Sequence, residues 1–277
     1  MWSSKDIYYV SDGTGILATN LGQAMIRQFP EVNFHEERFP FILSREEAKK
    51  TLAYILKHSA GRRPIIFSTL VDDRTRRIFD HPEVELFDAF AAFLQPLENC
   101  LEVQALRTPG FSHRQDNTTM AKRVEAIHFC LEHDDGVKSG EFDEAEVILL
   151  GVSRTGKTPV SVYLATQMGL KAANFPMTSE YLQEYRLPEA LRRNVRRAVG
   201  LTTTAELLHT VREKRYPDST YARLNNCSKE LKQAEQILNN HGIPIISTTG
   251  RSIEEIATQV TQELGLSKKP ADLNHGV

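Results

Sequence analysis

The sequence predicts an α/β protein built from an N-terminal βα domain and a C-terminal P-loop kinase-like α/β domain. Short apolar runs alternate with segments of helical periodicity, which is the pattern of a mostly parallel sheet covered by helices. One apolar run leads directly into a glycine-rich motif at residues 151–158. Between the two halves the pattern lapses over residues 107–119, where proline, glycine and small polar residues indicate a linker. We therefore expect two domains, residues 1–110 and 111–277.

The first half contains alternating strand and helix signals. Ser44 and Glu47 have the spacing of a capping box, in which each side chain bonds the other's backbone N–H at the start of a helix. The turn SDGTG at residues 11–15 follows the first apolar run and suits either a phosphate or a partner protein. The predicted elements, in chain order, are a strand at 7–10, a helix at 17–29, a capped helix at 44–58, a strand at 64–68 and a helix around 86–97.

The second half repeats this alternation around the glycine-rich motif. Thr203 with Glu206, and Ser252 with Glu255, have capping-box spacing. The predicted elements are a helix at 124–133, a strand at 146–150, a helix with an apolar face at 160–168, a capped helix from 203, a helix at 229–240, a strand at 243–248 and a capped helix at 252–264.

Composition excludes several classes of function. The chain has 277 residues, of which 40% are hydrophobic and 25% charged, which is ordinary for a globular protein. A net charge of −2 gives no reason to expect nucleic-acid binding. No apolar run approaches the ~20 residues of a membrane span, and no signal-peptide stretch opens the chain, so we expect a cytoplasmic protein. Its 3 cysteines are too far apart to form a metal-type pair.

Residues 151–158 match the pattern Gly-x-x-x-x-Gly-Lys-Thr, a complete Walker A motif. The two glycines let the backbone turn successive N–H groups into one anion-binding concavity, and the following helix adds its positive end. Lys157 is expected to bridge the outer phosphates and Thr158 to bind Mg²⁺. Arg154 suits either phosphate neutralisation or a solvated position at the loop tip. The predicted nucleotide-binding residues are Gly151, Val152, Ser153, Arg154, Thr155, Gly156, Lys157 and Thr158.

Aspartates near apolar runs are candidates for proton transfer or metal binding. Asp134 and Asp135 stand at a predicted helix end, where they either terminate the helix or orient an attacking hydroxyl. Acids at a helix C-terminus oppose the helix dipole, so they do not serve helix stability. Asp72 and Asp73 follow an apolar run in the other half and are interpreted as a strand-end turn. The missing Walker B acid argues against a motor-type ATPase.

Four basic residues cluster between two predicted helices: Arg212, Lys214, Arg215 and Arg223. Such a segment either closes over phosphates, like the lid of a kinase, or forms a solvated charged face. The pattern of charges by itself leaves both interpretations open.

Six blocks of the sequence resemble one known family: YYVSDGTGILATNLGQAMIRQFP, AIHFCLEHDDG, VILLGVSRTGKTPVSVYLA, KAANFP, GLTTT and SIEEIA. The segment GVSRTGKTP, with HDDG upstream of it, is far more specific than a Walker A motif alone. The blocks span nearly the whole chain in family order. They resemble the bacterial and plant bifunctional regulators of phosphoenolpyruvate synthase and pyruvate, phosphate dikinase.

The resemblance implies a serine/threonine protein kinase that uses ADP as its phosphate donor. Such regulators inactivate the target enzyme by phosphorylating a threonine close to its catalytic histidine. They remove that phosphate with inorganic phosphate as acceptor and release pyrophosphate. Asp135 matches the carboxylate that handles the threonine proton, and Lys157 matches the charge-neutralising lysine. The resemblance also implies a homodimer.

The resemblance favours one of the two target enzymes. Glu132 stands where the plant dikinase regulators have a lysine, so that lysine's role does not transfer to this chain. His133 before the aspartates resembles the branch that regulates phosphoenolpyruvate synthase, and pyruvate, phosphate dikinase is the alternative target. The first half, which carries no motif as complete as the Walker A, is expected to dock the protein target.

Two other functions agree with the motifs taken alone. An ATP-dependent small-molecule P-loop kinase would also use a Walker A loop with arginines nearby. A nucleotide-gated binding module without catalysis would need only the loop, although the presence of both Lys157 and Thr158 argues for chemistry.

Overall fold

A computed structural model of the chain describes residues 4–59, 61–109, 117–134 and 142–266. The protein is mixed α/β, as predicted, and divides into two compact units, Met1–Gln115 and Asp116–Val277. The predicted boundary between residues 110 and 111 lies outside the described residues. Within the described ranges, no helix is both long enough and apolar enough to cross a membrane.

The first unit is a four-stranded parallel sheet with helices on both faces. Its strand order is β2-β1-β3-β4. Apolar side chains pack on both faces of β1, with Tyr8 and Val10 on one side and Ile7 and Tyr9 on the other. The elements are β1 (Ser4–Ser11), α1 (Ile16–Ile26), β2 (Asn33–Phe39), α2 (Arg45–His58), β3 (Ile65–Thr69), α3 (Asp73–Arg76), β4 (Glu85–Asp88) and α4 (Ala89–Leu101).

Two elements of this unit differ from expectation. No strand was predicted over β2, because its sequence NFHEERF is rich in charge and most of its residues are exposed. Backbone pairing with β1 makes it an edge strand all the same. The helix expected around residues 86–97 begins only at Ala89, since the preceding residues form β4 and pair with β3. The Asp88 side chain caps α4 by accepting a hydrogen bond from the Ala91 N–H at 2.9 Å.

The second unit is also a four-stranded parallel sheet, with strand order β6-β5-β7-β8. Its helical elements include a π-helical turn that continues α6 and a 3₁₀ turn before β7. The elements are α5 (Asn117–Glu132), β5 (Val147–Gly151), α6 (Lys157–Tyr163) with the π turn (Leu164–Met168), β6 (Ala172–Pro176), α7 (Ser179–Glu184), α8 (Glu189–Arg193), the 3₁₀ turn (Val195–Arg197), β7 (Ala198–Thr202), α9 (Ala205–Arg215), α10 (Leu224–Asn240), β8 (Ile245–Ser247) and α11 (Ile253–Glu263).

Strand β5 is buried along its whole length and holds this unit together. Ile148 and Leu150 face a core that includes residues of α10, whereas Val147 and Leu149 face a core that includes residues of α6 and α11. A strand buried on both faces reads as a continuous apolar run, which is why the sequence predicts it well.

Strand order places the carboxyl end of β5 at a topological switch point. The chain runs from β5 to β6 on one side and returns to β7 on the other side of β5. Ligands of open α/β sheets bind in the crevice outside the carboxyl ends of the strands at such a point. The Walker A loop leaves β5 there, so the fold positions it for ligand binding.

Helix starts are predicted well where a capping box is present and less well elsewhere. Ser44 and Ser252 each form the expected capping box. Thr203 was wrong as a cap: Thr204 is the N-cap of α9 and accepts a hydrogen bond from the Leu207 N–H at 3.2 Å. Thr203 is instead buried and bonded to Thr249, a partner that the local sequence does not reveal.

The helix after the motif buries a narrower face than the apolar residues suggest. Val160 and Leu164 are buried in the core shared with α11. Val162 and Met168, expected on the same face, are exposed. Residues two apart on a helix point to nearly opposite sides, so Val162 faces away from Val160.

Candidate functional site

The turn between β5 and α6 depends on glycine at its first and sixth positions. Gly151 has a φ of +155°, and a Cβ there would lie 2.5 Å from the backbone oxygen of Leu201 on β7. Gly156 has a φ of +90° and is the N-cap of α6. Glycine therefore lets the loop pass close to β7 and then turn into the helix.

Lys157 folds back over this loop. Its side chain is 5% exposed, and Nζ donates hydrogen bonds to the backbone oxygens of Gly151 and Val152, both at 3.0 Å. The Thr155 hydroxyl, also buried, donates to the Val152 oxygen at 3.0 Å. The loop thus holds a positive charge within its own turn, where a phosphate would meet it.

The tip of the loop is open. Ser153 and Arg154 are exposed, and Arg154 has a φ of +74°. A positive φ is uncommon for a residue with a side chain and often marks a strained turn at a functional site. The exposed guanidinium is accessible to an anion, and its role in neutralising phosphate stays a prediction.

An aspartate meets the loop from a distant part of the chain. Asp134, two residues after the end of α5, accepts a hydrogen bond from the Thr158 hydroxyl at 3.0 Å. The Asn174 side-chain amide on β6 donates to the same carboxylate oxygen and also to the Ser161 hydroxyl, the latter at 3.1 Å. Asp134 is therefore more than a helix terminator, which was one of the two interpretations open from the sequence.

Asp135, the predicted proton-handling carboxylate, lies outside the described residues. Its role therefore stays a prediction. Its neighbour Asp134 is the acid whose contact with the Walker A residues can be described, and it was not among the predicted catalytic residues.

Arg212 contacts the backbone of the Walker A loop from α9. It is 0% exposed, so both the lid and the solvated-face interpretations are wrong for this residue. Its guanidinium donates to the Ser153 backbone oxygen at 3.1 Å and pairs with Glu230 at 2.8 Å. The guanidinium carbon also lies 4.0 Å from the ring centroid of Tyr221. Arg215, by contrast, is exposed.

Threonines at and just after the ends of β7 and β8 lie beside the loop. We call these residues, Thr202, Thr203, Thr248 and Thr249, the threonine wall. The Thr203 and Thr249 hydroxyls lie 3.1 Å apart, and the Thr248 hydroxyl donates to the Thr202 backbone oxygen at 3.1 Å. A Cβ on Gly156 would stand 3.9 Å from the Thr248 methyl carbon. Sequence reasoning missed these side chains as site residues, although a run of threonines directly after a strand is a usable signal.

The turn at residues 11–15 ties two strands of the first unit together. The Ser11 hydroxyl oxygen accepts hydrogen bonds from the Thr69 hydroxyl at 2.9 Å and from the Gly13 N–H at 3.1 Å. Asp72 caps α3 by accepting from the Thr75 N–H at 2.9 Å, which confirms the strand-end interpretation. Its hydrogen bond from the Thr75 hydroxyl lowers the pKa of the Asp72 carboxyl. Whether the turn binds a phosphate or a protein stays open.

The described residues offer no cluster of three or more His, Cys, Asp or Glu side chains that could hold a metal ion. Cys130 is buried near Ser161, and burial raises the pKa of its thiol. His133 is buried and stacks on Phe129 with ring centroids 3.9 Å apart. Oxygen atoms of the loop, of the Asp134 carboxylate and of a bound phosphate are the kinds of ligand that a hard divalent cation would use here.

Residues 7–261 match the protein family described as kinase/pyrophosphorylase. A relative from Desulfotalea psychrophila is 43% identical over 270 residues, which cover 98% of this chain and 99% of the relative. Relatives from Methylobacillus flagellatus and Laribacter hongkongensis are each 41% identical, over 94% and 96% of this chain and 97% and 98% of their own lengths. All three carry the name "Putative phosphoenolpyruvate synthase regulatory protein".

Proposed function

Because the chain belongs to the kinase/pyrophosphorylase family, we propose that it is a bifunctional regulator of phosphoenolpyruvate synthase. In one direction it uses ADP to phosphorylate a threonine near the catalytic histidine of the synthase, which inactivates that enzyme. In the other direction it uses inorganic phosphate to remove the phosphoryl group and releases pyrophosphate. The family match over residues 7–261 carries the proposal.

The geometry of the Walker A loop supports a phosphoryl-transfer site. The loop leaves the central strand of its sheet at the switch point, and the Lys157 ammonium lies inside the turn. ADP and inorganic phosphate both present phosphate oxygens, so one loop serves both directions. Preorganised N–H groups and a fixed positive charge stabilise the charge that develops on those oxygens in the transition state.

The two reactions balance as phosphoryl transfers. In the kinase direction the threonine oxygen bonds to the β-phosphorus of ADP, the bond from that phosphorus to the bridging oxygen breaks, and AMP leaves. In the reverse direction an oxygen of inorganic phosphate bonds to the phosphorus of phosphothreonine, and the threonine oxygen leaves. We assign Asp135 to accept the hydroxyl proton in the first reaction and to return a proton in the second.

Mg²⁺ is proposed at the same site. The exposed Thr158 hydroxyl has a carboxylate oxygen beside it, and oxygen atoms are the ligands that Mg²⁺ prefers. When bound, the cation would neutralise charge on the transferring phosphate. Lys157 and the loop N–H groups hold the phosphates in line with the threonine, and Arg154 offers a further positive charge at the loop tip.

The target, the oligomeric state and the compartment are also proposals. The relatives carry the name of synthase regulators, which favours the synthase over pyruvate, phosphate dikinase. We propose a homodimer in the cytoplasm, on the family resemblance. Arg215 and Arg223 are available to contact the anionic substrates or the target, because their side chains are exposed rather than packed in the core.

The choice between ADP and ATP as phosphate donor tests the proposed function. Purified protein is incubated with phosphoenolpyruvate synthase and ADP labelled on the β-phosphate, and the synthase is then analysed by mass spectrometry. We expect one labelled threonine near the catalytic histidine and loss of the label when inorganic phosphate is added. In one parallel reaction labelled ATP replaces ADP. In another, the enzyme pyruvate, phosphate dikinase replaces the synthase. Transfer from ATP to a small molecule, with an unlabelled synthase, would identify a metabolite kinase instead.

A further inference from the structure

P-loop phosphotransferases pair the hydroxyl of the Walker A motif with an acid that helps to hold Mg²⁺, and in P-loop NTPases this Walker B acid ends a neighbouring strand. The strand beside β5 on the switch-point side is β7, and it ends in Thr202, followed by Thr203 and Thr204. None of these three residues is acidic, and the carboxylate that the Thr202 hydroxyl contacts, at 2.8 Å, belongs to Glu235 on α10.

Asp134 supplies a carboxylate to the same hydroxyl from another direction. It follows α5 rather than a strand, yet its Oδ1 lies 3.0 Å from the Thr158 hydroxyl. We propose that Asp134 replaces the Walker B acid and that its carboxylate and the Thr158 hydroxyl together hold the divalent cation of the nucleotide. The inference rests on the proposed function, since it needs a nucleotide phosphate at the loop.

The chemistry of the two groups suits Mg²⁺ rather than a softer metal. A hydroxyl and a carboxylate are oxygen ligands, and Mg²⁺ sites commonly use one or two carboxylates together with substrate phosphates and water. Such a site needs no cluster of three protein acids, which agrees with the lack of one among the described residues.

Asn174 positions Asp134 for this role. It is 1% exposed on β6, and its side-chain N–H group donates to the Asp134 carboxylate. Its backbone N–H donates to the backbone oxygen of His133 at 2.9 Å, so the residue before Asp134 is also tied to β6. The Asn174 side-chain N–H group also donates to the Ser161 hydroxyl at 3.1 Å, which fixes the orientation of the amide toward Asp134.

The arrangement separates two tasks between neighbouring aspartates. A carboxylate that binds a cation is a poor proton acceptor, because the cation stabilises its charged form. Asp134 would hold the metal, and Asp135 would remain available for the threonine proton. Substituting Asp134 should therefore change metal dependence, whereas substituting Asp135 should change turnover.

Calorimetry of ADP binding with and without Mg²⁺ tests the inference on the full-length protein. We expect Mg²⁺ to tighten ADP binding to the wild type. In Asp134→Asn the factor by which Mg²⁺ tightens ADP binding should be smaller by roughly tenfold or more. The affinity of this variant for metal-free ADP should be unchanged. Glu263→Gln is the matched control: it removes one exposed charge at the C-terminal end of α11, far along the helix from the β8–α11 turn, and should behave as wild type.

A second measurement needs no variant. Mn²⁺ replaces Mg²⁺ in the complex of ADP with wild-type protein that carries ¹³C-labelled aspartate, and electron–nuclear double resonance reports whether a labelled carboxyl lies in the coordination sphere. We expect a direct coupling. Absence of that coupling, or full Mg²⁺ enhancement in folded Asp134→Asn, would overturn the inference alone. Failure of wild-type protein to bind ADP in any form would overturn the proposed function as well.

Discussion

At the scale of single residues, three side chains around the loop have separate tasks. Lys157 places a positive charge inside the turn, Asp134 meets the Thr158 hydroxyl, and Arg212 holds the Ser153 backbone from below. Each has contacts that a substitution would remove without deleting the loop. Substitutions at these positions should therefore have distinguishable effects on rate, on metal dependence and on stability.

Lys157→Ala should disable both directions of the proposed reaction. In the proposed mechanism one loop receives ADP in the forward direction and inorganic phosphate in the reverse, and loss of one such electrostatic contact costs about 10²–10³ in rate. Kinase activity is measured with the unphosphorylated synthase and phosphorylase activity with the phosphorylated form. A variant that loses only the kinase activity would show that the two reactions do not share the loop.

Asp135→Asn should lower turnover by roughly 10²–10⁴ and leave ADP affinity nearly intact. Asparagine keeps the size of the side chain and one acceptor oxygen, but it cannot take a proton. ADP binding is measured by calorimetry and turnover in both directions, with Asp134→Asn alongside. Near-normal turnover of Asp135→Asn together with a collapse of Asp134→Asn at every Mg²⁺ concentration would transfer the proton role to Asp134.

Arg212→Leu should destabilise the second unit. The guanidinium is fully buried, and its removal leaves Glu230, whose side chain is 23% exposed, without its cation. Breaking a buried pair costs about 3–5 kcal/mol, and partial exposure of Glu230 favours the lower end. Arg215→Leu, at the exposed C-terminal end of the same helix, should stay within about 0.5 kcal/mol. Urea unfolding of both variants measures the difference, and equal stabilities would refute the supporting role.

At the scale of elements, the site is assembled from turns that follow parallel strands. The β5–α6 loop, the threonines after β7 and the residues after β8 all lie at the carboxyl edge of one sheet. The first unit repeats this pattern, since its turn at residues 11–15 and the segment after β3 lie at one sheet edge. Close approach between neighbouring strands and turns limits which residues these positions accept.

Gly151→Ala should distort the Walker A loop, whereas Gly242→Ala should be mild. Both glycines have positive φ, but a Cβ at Gly151 would meet the Leu201 backbone oxygen at 2.5 Å, and a Cβ at Gly242 would meet nothing within 4 Å. Gly242→Ala should cost about 1–2 kcal/mol from the left-handed backbone alone. Thermal unfolding and ADP titration compare the two variants. Unchanged ADP affinity of Gly151→Ala would show that the loop tolerates the collision by moving.

At the scale of the whole molecule, each unit has its own sheet and its own apolar core. The Walker A loop, Asp134 and the threonine wall all belong to the unit Asp116–Val277. The first unit contains no comparably complete ligand motif, and we propose that it docks the protein target.

A fragment starting at Gln115 should bind ADP with an affinity close to that of the full-length chain. The Walker A loop and the residues described above as contacting it all lie within the unit Asp116–Val277. It should fail to phosphorylate the synthase if the missing unit docks the target. Circular dichroism first verifies that the fragment is folded, and calorimetry then measures ADP binding. Loss of ADP binding in a folded fragment would place nucleotide contacts in the first unit.

The sequence by itself determined the features that depend on near neighbours. Fully buried strands such as β5 read as continuous apolar runs, the two capping boxes use residues three apart, and the Walker A loop is one contiguous pattern. These signals also predicted the α/β class and most of the elements. They failed at β2, whose charged residues are held by pairing with β1 rather than by their own pattern, and they also missed the short strands β4, β6 and β7.

Only the tertiary structure decided which distant residues complete the site. Asp134 reaches Thr158 across 24 positions of sequence, and Arg212 reaches Ser153 across 59. The sequence placed Arg212 in a charged cluster and left Asp134 between two interpretations, because charge patterns do not reveal burial or partners. Parallel strands bring their carboxyl ends together whatever their separation along the chain, and that convergence joins the Walker A loop and the threonine wall. Asp134 follows a helix instead, and the side chain of Asn174 on β6 holds it beside Thr158.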